Sequence, residues 1–69
     1  MPMTEAQFNV LMVDPTAKVE ERQIQLNVTT LTGYRIKGDG WNTFTAYTLD
    51  AAWSLAQLTL ENIISESIA

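Results

Sequence analysis

The chain has 69 residues and a net charge of −4, with eight acids, four bases and neither cysteine nor histidine. That length makes a single small domain, close to the lower limit for folding without disulfide or metal staples. Without Cys and His, zinc, iron–sulfur and haem centres lose their usual ligands, and a serine or threonine nucleophile loses its usual base.

The acids are scattered and form no calcium-loop pattern, so neither a metal nor a cofactor is expected. Hydrophobic content of 46% is that of a folded globular chain. The start, MPMTEAQFNVLMV, has no basic segment and meets Glu5 early, unlike a signal peptide. No apolar run reaches bilayer-spanning length. A cytoplasmic protein without a membrane partner is expected.

The charges are unevenly placed. All four bases (Lys18, Arg22, Arg35 and Lys37) precede Gly38, whereas the remainder holds Asp39, Asp50, Glu61 and Glu66 and no base. Four bases among eight acids are a poor match for a phosphate backbone, so direct nucleic-acid binding is not expected. An acidic second half serves solubility or meets a protein partner with a basic surface.

In chain order, the short apolar run 7–13, QFNVLMV, ends at Asp14-Pro15-Thr16, a turn signal. Its length and its Phe8, Val10 and Val13 predict a strand. Residues 19–31 alternate, with Ile24, Leu26 and Val28 on one side and Gln23, Gln25, Asn27 and Thr29 on the other. This period of two predicts a half-buried strand. Tyr34 to Lys37 resumes the alternation after Thr32-Gly33, and Gly38-Asp39-Gly40 is hairpin chemistry. The threonine- and aromatic-rich segment 41–48 predicts the returning strand, with Asp39 at the hairpin tip. Trp41 follows that turn, where it either covers the end of the core or serves as an interface anchor.

Thr48 is placed to cap a helix over 49–65, with Asp50 favourable to its dipole. On a helical wheel, Leu49, Ala52, Trp53, Ala56, Leu60, Ile63 and Ile64 share an arc of about 120°, enough for one core contact. Leu55 and Leu58, with Ala51, fall outside it, while Ser54, Gln57, Glu61 and Ser65 form the polar sector. The spare leucines are covered by the N-terminal segment or make a contact surface.

The run TAYTLDAAWSLAQLTLENII, residues 45 to 64, resembles the strand-to-helix segment T-L-D-E-A of HicB-type antitoxins through Thr48, Leu49, Asp50, Ala52 and Ala56. It is also similar to the comparable segment of the small RNA-polymerase inhibitors of T7-like phages. The resemblance implies a small acidic fold in which a sheet carries a helix and, on the HicB side, an antitoxin fragment without its DNA-binding segment.

The expected fold is α+β: a three- or four-stranded, mostly antiparallel sheet, in the order β-β-β-β-α or β-β-β-α, with the C-terminal helix across one face. Glu20 and Glu21 are adjacent, so on a strand they point to opposite faces, and no carboxylate pair or phosphate loop is evident. The expected function is therefore non-catalytic: a small acidic protein-binding inhibitor or regulator of a larger complex, of phage or mobile-element type. The alternative is a homo-oligomeric structural component. Candidate interface residues are Leu55, Leu58, Trp41, Asp39 and Glu61.

Overall fold

The computed structural model describes residues 3–68. Its first element is helix α1, Glu5–Val13, where the run 7–13 predicts a strand. The reason lies just upstream. Thr4 adopts extended backbone and its hydroxyl accepts the Gln7 N–H at 3.1 Å, while Glu5 sits in the first turn. These N-terminal interactions favour a helix over the β preference of Val10 and Val13. Pro15 disfavours helical backbone at the residue before it; Asp14 is extended and its N–H closes the helix on the Val10 carbonyl at 2.8 Å.

Strands β1, Lys18–Leu26, and β2, Thr29–Gly38, form an antiparallel hairpin with Lys18 opposite Lys37 and Leu26 opposite Thr29. The run 19–31, expected as a single strand, is thus divided by the two-residue loop Asn27-Val28. Asn27 takes a left-handed φ of 54°, a conformation asparagine tolerates better than most side chains. The Gly38-Asp39-Gly40 hairpin forms as expected. It leads into β3, Trp41–Asn42, at the far edge of a three-stranded sheet of order β1-β2-β3.

The predicted strand 41–48 is cut short by a bulge. Thr43 N–H donates to the Ile36 carbonyl at 3.0 Å, and the Thr43 hydroxyl takes the Ile36 N–H at 3.0 Å in place of a carbonyl. Ala46 then pairs with Tyr34. Phe44 and Thr45 therefore stand opposite the single residue Arg35, the two-against-one count of a bulge. Phe44 is left 88% exposed.

Helix α2 spans Leu49–Ile68. As expected, Thr48 caps it: its hydroxyl accepts the Ala51 N–H at 3.1 Å and its carbonyl the Ala52 N–H at 3.0 Å. Ala52 and Ala56 have no exposed surface, and with Trp53 and Leu60 they join Val10, Ala17, Ile36 and Ala46 in the core. Small alanines bring the helix axis close to the sheet, and Trp53 and Leu60 fill space beside them. Leu49, Ile63 and Ile64, expected in the same arc, remain exposed. Helix α1 packs against α2, and the whole measures 47 × 28 × 16 Å. The outer face of the sheet is left without a covering helix.

Candidate interaction surfaces

The sequence candidates are brought together only in part: Trp41 and Asp39 line one depression, Glu61 lines the groove beside it, and Leu55 and Leu58 line neither. Trp41 is half-buried against the core, and its indole N–H donates to Asp14 Oδ2 at 2.7 Å. It covers the end of the core beneath the hairpin. Asp39 has an exposed side chain; its backbone N–H is the bonded group, donating to the same Asp14 oxygen at 3.0 Å. Asp14 Oδ1 receives the Thr16 N–H at 2.9 Å and also the Thr16 hydroxyl. The Thr16 hydroxyl foremost, then the Asp39 N–H and the Trp41 indole, hold the Asp14 carboxyl well below the usual carboxylate range.

Leu55 and Leu58 separate. Leu55 is partly buried against the core, whereas Leu58 is 56% exposed. Glu61 is exposed and accepts a hydrogen bond from Gln57 Nε2 at 3.2 Å. On α2 the exposed residues Asp50, Ser54, Leu58, Glu61 and Ser65 follow one another at four, four, three and four residues. They form a single outward row.

A second surface, missed in the sequence, comes from α1. Its apolar residues surround the helix, so burial of Val10 leaves Phe8, Met12 and Val13 in the open. They line a groove of about 470 Å³ with Gln57, Leu60, Glu61 and Ile64. A neighbouring depression of about 390 Å³ shares Val13 and Ile64 and reaches Trp41, Asp14 and Asp39. The acids Glu61, Asp14 and Asp39 thus border an apolar floor.

The third surface is the bare face of the sheet. Strand alternation and the β1–β2 register put Lys18, Glu20, Arg22, Ile24 and Leu26 on the same side as Thr29, Leu31, Gly33, Arg35 and Lys37. The opposite side carries Val19, Tyr34 and Ile36 into the core. At Gly33 the space of a Cβ is occupied by Thr45 Cγ2 and Ile24 Cδ1, 2.5 and 3.0 Å away. This contact ties the bulge to the outer face.

All four bases of the chain therefore lie on this face, with Glu20 as the acid among them and Asp39 bordering one end. Arg35 binds Glu20 through Nε at 3.2 Å and Nη2 at 2.8 Å. That hydrogen bonding, with the nearby charges of Arg35, Lys37 and Lys18, holds the Glu20 carboxyl below its ordinary value. Beyond Arg22 the face turns aliphatic, with Ile24, Leu26 and Leu31.

Among the described residues no three acidic side chains are grouped to hold a metal ion, and no helix is long and apolar enough to cross a membrane. Comparison with family models, with curated proteins and with solved structures gives no match for this chain.

Proposed function

We propose that the chain is a non-catalytic protein-binding domain, a small acidic inhibitor or regulator of a larger protein, of the kind encoded by phages and mobile elements and acting in the cytoplasm. The observation that supports this reading is the groove between α1 and α2, where Phe8, Met12, Val13 and Ile64 leave large apolar surface uncovered. A domain this small keeps such surface out of its own core only at a cost in stability and solubility, and contiguous apolar patches mark contact sites. Glu61, Asp14 and Asp39 at the rim suit a partner whose contact region is apolar and flanked by bases.

The test compares the tagged wild-type chain with Phe8→Asp/Met12→Asp in quantitative capture from host lysate. Circular dichroism and thermal melting serve as the folding control. The reading requires at least one protein held stoichiometrically by the wild type and lost from a variant that melts normally. Identical captured sets overturn it.

A further inference from the structure

The geometry points to a second contact, between two copies of the chain: the basic outer face of the β1–β2 hairpin of one copy receives the acidic outward row of α2 of the next. The sheet face gathers every base in the molecule, while the outward row of α2 carries Asp50 and Glu61 on a helix that has no base. The two surfaces belong to different sides of a body 16 Å thick. With a screening length of about 8 Å at physiological salt, each acts on an approaching molecule largely as a local field. A single copy cannot bring the two together. A second copy can.

Shape and apolar content agree. Nine residues of strand and twenty of helix each extend about 30 Å, at rises of about 3.3 and 1.5 Å per residue. Each surface pairs its charges with aliphatic side chains: Ile24, Leu26 and Leu31 beside the bases, and Leu58 between Asp50 and Glu61. The aliphatic half favours a protein surface over a nucleic acid, whose backbone calls for further bases or stacking aromatics. A ribbon two strands wide is smaller than the roughly 800 Å² per partner of standard interfaces. The contact is accordingly weak, concentration-dependent and sensitive to salt. It is head-to-tail, so it propagates unless the rotation closes a ring. Apart from Glu61 it uses residues other than those of the α1–α2 groove, and it stands whether or not that groove holds a partner.

The test is sedimentation equilibrium of the intact chain over a wide concentration range, at low and high salt. We expect a mass that rises with concentration and a dissociation constant raised at least about tenfold by high salt, as for steered charge contacts. Arg22→Glu/Lys37→Glu in the sheet and Leu58→Arg/Glu61→Lys in the helix each abolish association while melting as folded proteins. Mixing the two variants restores association, because one retains an intact helix row and the other an intact sheet face. Because each variant fails alone, restoration on mixing shows that the sheet face of one copy meets the helix row of another. A monomer at every concentration in low salt overturns the inference. So does association that ignores salt and both charge variants but is lost in Phe8→Asp/Met12→Asp. Salt-dependent binding of a single-stranded homopolymer oligonucleotide, lost with Arg22→Glu/Lys37→Glu and without self-association, assigns the face to nucleic acid instead.

Discussion

The Trp41 indole N–H points at Asp14 Oδ2 from 2.7 Å, and this bond joins the end of α1 to the β2–β3 hairpin. Twenty-seven residues separate the two in sequence. The same oxygen takes the Asp39 N–H, and the other holds Thr16. One carboxylate thus fixes the turn after α1 and the tip of the hairpin, which positions both walls of the depression that runs from Val13 to Trp41.

This arrangement makes stability sensitive to acid. The Asp14 carboxyl is held below its ordinary value in the folded chain, so the unfolded chain binds a proton first as pH falls. The contribution is complete above about pH 5 and is lost as pH drops through the ordinary carboxylate value of about 3.9 towards the lower folded one. Glu20, lowered by Arg35, adds a loss of the same sign. Asp14→Asn should lower the melting temperature at neutral pH and flatten its fall between pH 5 and 2. Trp41→Phe, which removes only the N–H donor and some ring surface, should lower the melting temperature less. A melting curve for Asp14→Asn as steep in acid as the wild type would show that Asp14 carries no linkage.

Gly38 is required for space rather than for a left-handed backbone. Of the two glycines in the hairpin, Gly40 has the positive φ, 81°, and Gly38 does not. A Cβ at Gly38 would lie 2.3 Å from two atoms of the Trp41 ring and 2.5 Å from Asp14 Oδ2. Gly38→Ala should therefore displace the indole from Asp14 and destabilise by about 1–3 kcal/mol, as overpacking does. Gly40→Ala meets no neighbouring atom and should cost about 1–2 kcal/mol through backbone strain alone. Tryptophan fluorescence separates the two: the emission of the Gly38 variant should shift, and that of the Gly40 variant should match the wild type below the melting transition.

The elements legible in the sequence were those with local signals. Thr48 ahead of an amphipathic run marked α2, and Gly38-Asp39-Gly40 marked the second hairpin. The wheel also placed Ala52, Trp53, Ala56 and Leu60 in the core. Helix α1 was obscured because its apolar residues follow no single face, although Thr4 and Gln7 form the spacing of a capping pair. The first hairpin was obscured because polar and apolar residues alternate straight through Asn27-Val28. The basic face depends on that turn: Lys18 and Arg22 meet Arg35 and Lys37 only once it sets the register. The hairpin also reverses its amphipathic sense near Arg22. Val19 and Ile36 face inward, yet Ile24, Leu26 and Leu31 face outward, a reversal that period-two reasoning cannot reveal without knowing how far the core reaches.

The turn itself yields a prediction. Asn27 is the non-glycine residue with positive φ among the described residues, and Val28 beside it is 99% exposed. Asn27→Gly should keep or raise stability, since glycine adopts this φ without Cβ strain. Asn27→Val should cost at least about 1–2 kcal/mol and loosen the Leu26–Thr29 end of the ladder. Amide exchange at the distal hairpin should rise in the valine variant and remain slow next to Ile36.

Leu58 and Leu60 lie two residues apart on α2 and should respond to truncation by very different amounts. Leu60 is buried with Val10, Trp53 and Ala56, and its side chain also forms part of the floor of the α1–α2 groove. Leu60→Ala leaves a cavity at the contact between the helices and should cost about 2–5 kcal/mol, a large share of what a domain of this size possesses. Leu58 projects from the opposite row, more than half exposed, and Leu58→Ala should change stability by no more than about 0.5 kcal/mol. Denaturant melts at a concentration low enough to keep the chain monomeric isolate this difference. A Leu58→Ala loss as large as that of Leu60→Ala would place Leu58 in the monomer's core and remove it from the outward row. If instead its cost appears only at high protein concentration, the side chain is buried by another molecule, since stability gained from association grows with the concentration of the partner.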